Sequence, residues 1–187
     1  MVDDVTPRLI AEYLKSNARA VSISGAQPRF IPGGNSAFLL LHGWGASAES
    51  IRFLARGIAD QGFAVLAPTL PGHGTSPEQM LATGPLDWID AAREALRLLS
   101  SHFEKVYLSG VSMGGALSLQ VAALDSEAVS ALITANAPVF LDDPDVALDL
   151  MSGPANEMMS FWPGPKFLGP PVSELTYSTH SRKSDLD

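Results

Sequence analysis

The sequence predicts an α/β fold, a mostly parallel sheet with flanking helices, and three observations carry that prediction. Apolar runs at residues 37–41, 63–67 and 129–134, together with Val106-Tyr107-Leu108, are continuous rather than alternating, as in strands buried on both faces of a parallel sheet. Between them lie amphipathic stretches of helical period, long enough to serve as βαβ crossovers. One of the runs passes through the sharp turn Gly110-Val111-Ser112-Met113-Gly114 directly into a helical stretch.

Taken in order, Thr6-Pro7 reads as a helix cap followed by a first-turn proline, with Leu9, Ile10, Tyr13 and Leu14 on one face of a short docking helix. Residues 21–24 read as an edge strand, and residues 28–31 as a second short strand stopped by Pro32-Gly33-Gly34. After the buried strand 37–41 comes His42-Gly43-Trp44-Gly45. Ser47 then reads as the cap of a helix in which Ile51, Leu54, Ile58 and Ala59 recur at helical spacing until Gly62. Strand 63–67 leads into a loop, 68–84, that carries Pro71-Gly72-His73-Gly74 and is too polar and broken for regular structure.

Pro85 opens a helix whose Ile89, Ala92, Leu96 and Leu99 form the buried stripe, with Arg93, Glu94 and Arg97 off it. Strand 105–109, the serine turn and its helix follow, and strand 129–134 runs out at Ala137-Pro138. From Phe140 the character changes. Asp143-Pro144 starts a short helix to about Met151, and Met158, Met159, Phe161, Trp162 and Phe167 then follow no period, which suits the apolar underside of a lid over a small-molecule pocket. The expected organisation is a core over residues 1–139 and a partial lid with a polar tail over residues 140–187.

Composition bounds the function. The 187 residues carry a formal net charge of −8 with no lysine or arginine cluster, which argues against a nucleic-acid partner or an anionic membrane surface. With 46% hydrophobic and 17% charged residues the chain suits a globular protein rather than a disordered one. There is no cysteine, so neither disulfides nor thiolate-bound metal contribute. No apolar stretch reaches membrane-spanning length and the start is acidic, so the simplest expectation is a cytoplasmic protein without signal peptide or anchor.

The serine turn carries the chemistry. In a strand–turn–helix setting, G-x-S-x-G holds its serine in a strained conformation with the hydroxyl above the sheet edge, where a substrate reaches it. Gly110 and Gly114, lacking a Cβ, let strand and helix approach closely. The helix that follows points its N-terminus at the serine, which favours negative charge developing there.

Leu39-Leu40-Leu41-His42-Gly43-Trp44, Pro71-Gly72-His73-Gly74, Thr83-Gly84-Pro85-Leu86-Asp87-Trp88, Gly110-Val111-Ser112-Met113-Gly114-Gly115 and Ala137-Pro138 stand in an order that resembles the α/β-hydrolases, most nearly small bacterial carboxylesterases and monoacylglycerol lipases. The resemblance covers roughly residues 28–138. It implies that Ser112 is the nucleophile, that the backbone N–H groups of Trp44 and Met113 form the oxyanion hole, and that His42 and His73 are structural. It also implies a small-molecule ester with an apolar acyl group as substrate, an acyl-serine intermediate and no cofactor.

The family order is serine, acid, histidine, with the acid after the seventh strand and the histidine after the eighth. No buried strand follows Thr134, so the resemblance implies an α/β-hydrolase fold lacking its last two strands, with acid and base absent and the truncated chain inactive or impaired. The alternative is a triad of Ser112, Asp142 or Asp143, and His180, although Asp143 also reads as a helix cap before Pro144. His102, beside Glu104 and Lys105, reads as a solvated helix-end residue. A serine peptidase of the same fold and a non-catalytic binding module are the other functional readings. Strand 129–134, apolar and without lysine or proline, becomes an exposed sheet edge in such a chain and invites self-association.

Overall fold

The computed structural model describes residues 5–139, all within the unit Met1–Pro144. Its elements are α1 (Val5–Arg19), β1 (Arg29–Ile31), β2 (Ser36–Leu41), α2 (Arg52–Ala59), β3 (Ala64–Ala67), α3 (Pro77–Leu81), α4 (Pro85–Ser100), β4 (Lys105–Val111), α5 (Met113–Leu124), a 3-10 turn (Ser126–Ala128) and β5 (Ala131–Ala135). The sheet order is β1-β3-β2-β4-β5. β2 pairs in parallel with both β3 and β4, β4 pairs in parallel with β5, and only β1 runs antiparallel, against β3. The mostly parallel sheet with flanking helices is therefore what the apolar runs predicted.

Alternation along β2 shows why those runs are continuous. Ala37, Leu39 and Leu41 point into one apolar cluster with Leu66, Leu108, α4 residues Ala92, Ala95, Leu96 and Leu99, α5 residues Leu117 and Val121, and Ile10 of α1. Phe38 and Leu40 point the other way, into a cluster with Val65, Ala67, Ile51 just before α2 and Ala55 of α2. Each strand side chain is covered whichever face it takes, so polar residues have no place in the run. A fully buried leucine contributes about 1.5–3 kcal/mol, and Leu39, Leu40, Leu41, Leu66 and Leu108 are all fully buried. They hold the central strands, and hence the turns at their C-terminal ends, in fixed register.

Several boundaries and two elements differ from the sequence-based expectation. Residues 21–24 are not a strand: the N–H groups of Ser22 and Ile23 both donate to the Gly74 carbonyl (2.9 and 2.9 Å), which braces this segment on a loop instead of a ladder. Ser47 does not cap α2. Its hydroxyl accepts from the Glu49 N–H (3.3 Å) in a preceding turn, and α2 begins only at Arg52. The 68–84 loop is not wholly irregular, because Ser76 caps the short helix α3 by accepting from Gln79 N–H (3.4 Å), with Pro77 in its first turn. The Ser76-Pro77-Glu78 start signal was there to be read. β4 extends to Val111, and the last strand sits at Ala131–Ala135 rather than 129–134.

The docking helix is present as α1, with Ile10 buried and Tyr13 and Leu14 packed against the core, while Leu9 faces outward. The buried stripe of α4 gains Trp88 and Ala95, and Ile89 is only half-buried. Among the described residues β5 is an edge strand, and no helix is long and apolar enough to cross a membrane. The helix expected from Asp143, the lid residues Met158, Met159, Phe161, Trp162 and Phe167, and Asp142, Asp143 and His180 lie outside the described residues.

Candidate active site

The turn after β4 forces a non-glycine residue into an unfavourable backbone; among the described residues Asn136 is the other non-glycine residue at positive φ. Ser112 has φ 54° and ψ −123°. A side chain at positive φ costs of order 1–3 kcal/mol and persists only where its surroundings over-determine it. Here they do. Ser112 N–H donates to the Ala135 carbonyl at the end of β5 (2.8 Å), and Ser112 O accepts from Gly115 N–H (2.8 Å) and Ala116 N–H (3.2 Å) as α5 begins.

The glycines of the motif are needed for space. A Cβ on Gly110 would run into the Gly114 backbone, and one on Gly114 into the carbonyl oxygens of Leu41 and His42. That second clash shows α5 abutting the loop after β2. The contact brings Gly43 to the serine: a Cβ on Gly43 would lie 3.3 Å from Ser112 Cβ and 3.8 Å from Ser112 Oγ. Ser112 itself is half-buried. β2 and β4 are adjacent parallel strands in register Leu41↔Gly110, so the turns that leave them meet over the same sheet edge.

The remaining motifs prop this pair of turns. Trp88 Nε1–H donates to the Pro71 carbonyl (3.0 Å), and Thr83 Oγ1 donates to the same oxygen (3.2 Å). Gly72, at φ +77°, has no room for a Cβ beside Thr83 Oγ1. The 71–74 loop then meets the 42–45 loop through rings packed edge to face: Trp44 against Trp88 (5.3 Å between centroids), His73 against Trp88 (5.5 Å), Trp44 against His73 (5.9 Å) and His42 against His73 (4.9 Å). Such pairs contribute about 0.5–1.5 kcal/mol each beyond their burial. Trp88 had read from sequence only as part of a motif, yet it joins the start of α4 to the loop beside the serine.

Both histidines near the serine are committed elsewhere. Leu70 N–H donates to His42 Nε2 (3.0 Å), which puts the proton on Nδ1, and Nδ1–H donates to Gly43 O (2.9 Å). Burial, with the neighbouring His73 ring adding to it, pushes the His42 pKa down to about 3. His73 Nδ1–H donates to Pro71 O (3.1 Å), burial again lowers its pKa, and among the described residues its Nε2 has no partner. His102 lies before the N-terminal end of β4 with Nδ1 2.8 Å from Leu98 O, at the opposite end of that strand from the serine. Among the described residues no side chain hydrogen-bonds Ser112 Oγ, and no group of His, Asp or Glu could hold a metal ion.

The buried histidines fix the sign of the acid response. A histidine held neutral in the folded protein but free to protonate near 6.5 when unfolded leaves stability untouched above that pH. It then lowers stability as pH falls from about 6.5 towards about 3, by up to about 1.4 kcal/mol per pH unit. Urea unfolding between pH 7 and 5, above the range where carboxylates titrate, should show this loss in the wild type and a flatter profile in His42→Asn. Equal slopes would mean that His42 is protonated in the folded state.

Comparison with known proteins agrees with the geometry. The family described as alpha/beta hydrolase fold matches residues 36–182. A thermostable monoacylglycerol lipase of Bacillus sp. (strain H-257) is 32% identical over 155 residues, 83% of this chain and 61% of that protein. A carboxylesterase of Bacillus subtilis is 35% identical over 96 residues, 51% of this chain and 39% of its own length. The solved structure of a metagenome-derived lipolytic enzyme superposes with a TM-score of 0.65 at 36% identity, covering 71% of this chain and 54% of the other. The chain thus spans about three-fifths or less of the length of these relatives.

Proposed function

The chain belongs to the alpha/beta hydrolase fold family, and from that premise we propose that it carries the nucleophile and oxyanion hole of an esterase that cleaves carboxylic esters with apolar acyl groups through an acyl-serine intermediate. Ser112 Oγ attacks the ester carbonyl. The oxygen that becomes negative is held by the backbone N–H groups of Trp44 and Met113, one from the turn after β2 and one from the first residue of α5. The alcohol leaves, and water releases the acyl group from the serine. The observation that carries the reading is Ser112 at φ 54° with Gly43 packed against it. Backbone donors aimed at developing charge are worth more than any flexible side chain, because nothing reorganises when the charge appears. The names of the relatives, a monoacylglycerol lipase and a carboxylesterase, support an ester rather than an amide substrate.

A serine hydroxyl needs a base, since near neutral pH it is not ionised. His42 and His73 are neutral, buried and hydrogen-bonded to backbone, which disfavours both as that base. A polypeptide of these 187 residues is accordingly expected to hydrolyse a short p-nitrophenyl ester no faster than buffer. Measurable hydrolysis lost in both Ser112→Ala and His180→Ala would instead assign the base to His180.

A further inference from the structure

Among the described residues, Ser112 at φ 54° and Asn136 at φ 51° are the two non-glycine residues with positive φ, and they stand side by side. β4 and β5 run parallel with Val111 paired to Ala135, so Ser112 and Asn136 are the first residues beyond the same end of neighbouring strands. The proposed chemistry accounts for the serine, but Asn136 has no part in it. A backbone outlier beside a reacting group persists where the surroundings hold it there, and it holds them in return.

The neighbours of Asn136 close a ring around the serine. Ser112 N–H donates to the Ala135 carbonyl (2.8 Å), and Ser112 O accepts from Gly115 N–H (2.8 Å). Gly115 in turn lies against Ala137: a Cβ built on it would come within 2.9 Å of Ala137 Cβ and 3.4 Å of Ala137 Cα. The path runs from Ser112 across to Ala135, through Asn136 to Ala137, and back by way of Gly115 to the serine. Asn136 is its corner.

Both arms of that corner are stiff. Ala135 ends a strand paired to β4. Ala137 precedes Pro138, which biases it to extended backbone, and Val139 N–H donates to Ala137 O (2.9 Å) in a tight turn about the proline. The conformation at Asn136 therefore decides whether Ala135 O and Ala137 reach their partners together. Asparagine suits the corner, because it visits the left-handed region far more readily than other residues that carry a Cβ. Its side chain is exposed, so core packing does not select it.

We propose that Asn136 is a positioning residue for the nucleophile: its positive-φ backbone, rather than its carboxamide, closes the ring that fixes the Ser112 peptide. The proposal rests on the reading of Ser112 as nucleophile, but its test needs no turnover. Amide hydrogen exchange is followed by NMR in the 15N-labelled 187-residue chain. The Ser112 N–H reports the ring, and the Leu39 N–H of the central strand β2 reports global opening.

Asn136→Ala should speed exchange at Ser112 by roughly tenfold while Leu39 stays as protected as in the wild type. Asn136→Gly, free to take positive φ, should keep the wild-type rate at Ser112. A residue that served only to end β5 would leave Ser112 unmoved, so an unchanged Ser112 rate in Asn136→Ala overturns the proposal. Loss of protection in Asn136→Gly equal to that in Asn136→Ala also overturns it, by giving the role to the carboxamide. Should Asn136→Ala fail to fold, the wild type still decides: a Ser112 N–H that exchanges like an unstructured peptide while Leu39 is protected means that no ring is closed. These outcomes leave the esterase reading standing. Ester turnover surviving in Ser112→Ala would overturn that reading, and the proposal with it.

Discussion

Replacing Ser112 with alanine is expected to remove ester turnover by roughly six orders of magnitude, the size of loss seen when a triad serine is deleted elsewhere. The measurement is to be made in a form with ester turnover to lose. Joining residues 1–139 to the C-terminal portion of the Bacillus sp. monoacylglycerol lipase supplies one candidate, since the two proteins are 32% identical over 155 residues. The effect should be large because in the proposed mechanism Ser112 forms the covalent bond, and no other hydroxyl is held on the elbow. Ser118, on the same helix, donates its hydroxyl to Gly114 O (2.7 Å) and is fully buried. The fold should survive. Alanine keeps the Cβ that the positive-φ turn already tolerates, and the hydrogen bonds that hold the turn are all made by backbone groups. Activity within tenfold of the parent, with a cooperative unfolding transition intact, would remove Ser112 from the mechanism.

Much of this arrangement was legible in the sequence because it follows from local rules. Continuous apolar runs announce strands buried on both faces, and Leu39 to Leu41 are buried as that rule demands. The serine turn was legible for the same reason: once Gly110, Ser112 and Gly114 sit between a strand and a helix, the requirement for space at the glycines is steric and leaves few alternatives. The missed elements depend instead on partners distant in sequence. Val21-Ser22-Ile23-Ser24 has the composition of a strand, yet the N–H groups of Ser22 and Ile23 find one carbonyl, that of Gly74, about fifty residues away. Ser47 has the chemistry of a cap and uses it on a turn, because the chain needs four more residues to bring Ile51 and Ala55 under β2 and β3.

The site divides along the same line. Ser112, Trp44 and Met113 stood out as members of motifs. The brace made by Trp88, Pro71 and Thr83, and the grip of His42 on Gly43, are contacts between motifs. Their spacing in sequence carries no sign of them. The one hint was that three short motifs, around Trp44, His73 and Trp88, occurred in a single chain with the serine turn, and the structure explains it by packing them against one another beside the serine.

Trp44→Pro is expected to cost roughly 10²–10³ in turnover in the same active form, by deleting one oxyanion donor, whereas Trp44→Phe should cost little. The contrast follows from what each change removes. Proline takes away the backbone N–H and leaves the preceding Gly43 carbonyl available to His42 and Ala46. Phenylalanine keeps the N–H and most of the ring that packs against His73 and Trp88, and a side chain already 46% exposed has space around it. The loss in Trp44→Pro should fall on kcat more than on KM, because the donor strengthens its bond only as the oxygen becomes negative. Thermal unfolding of both variants guards against a trivial cause, since proline also constrains Gly43 before it. If Trp44→Phe were as damaging as Trp44→Pro at matched stability, the indole rather than the peptide would be acting on the substrate, and the second donor of the oxyanion hole would have to be sought elsewhere.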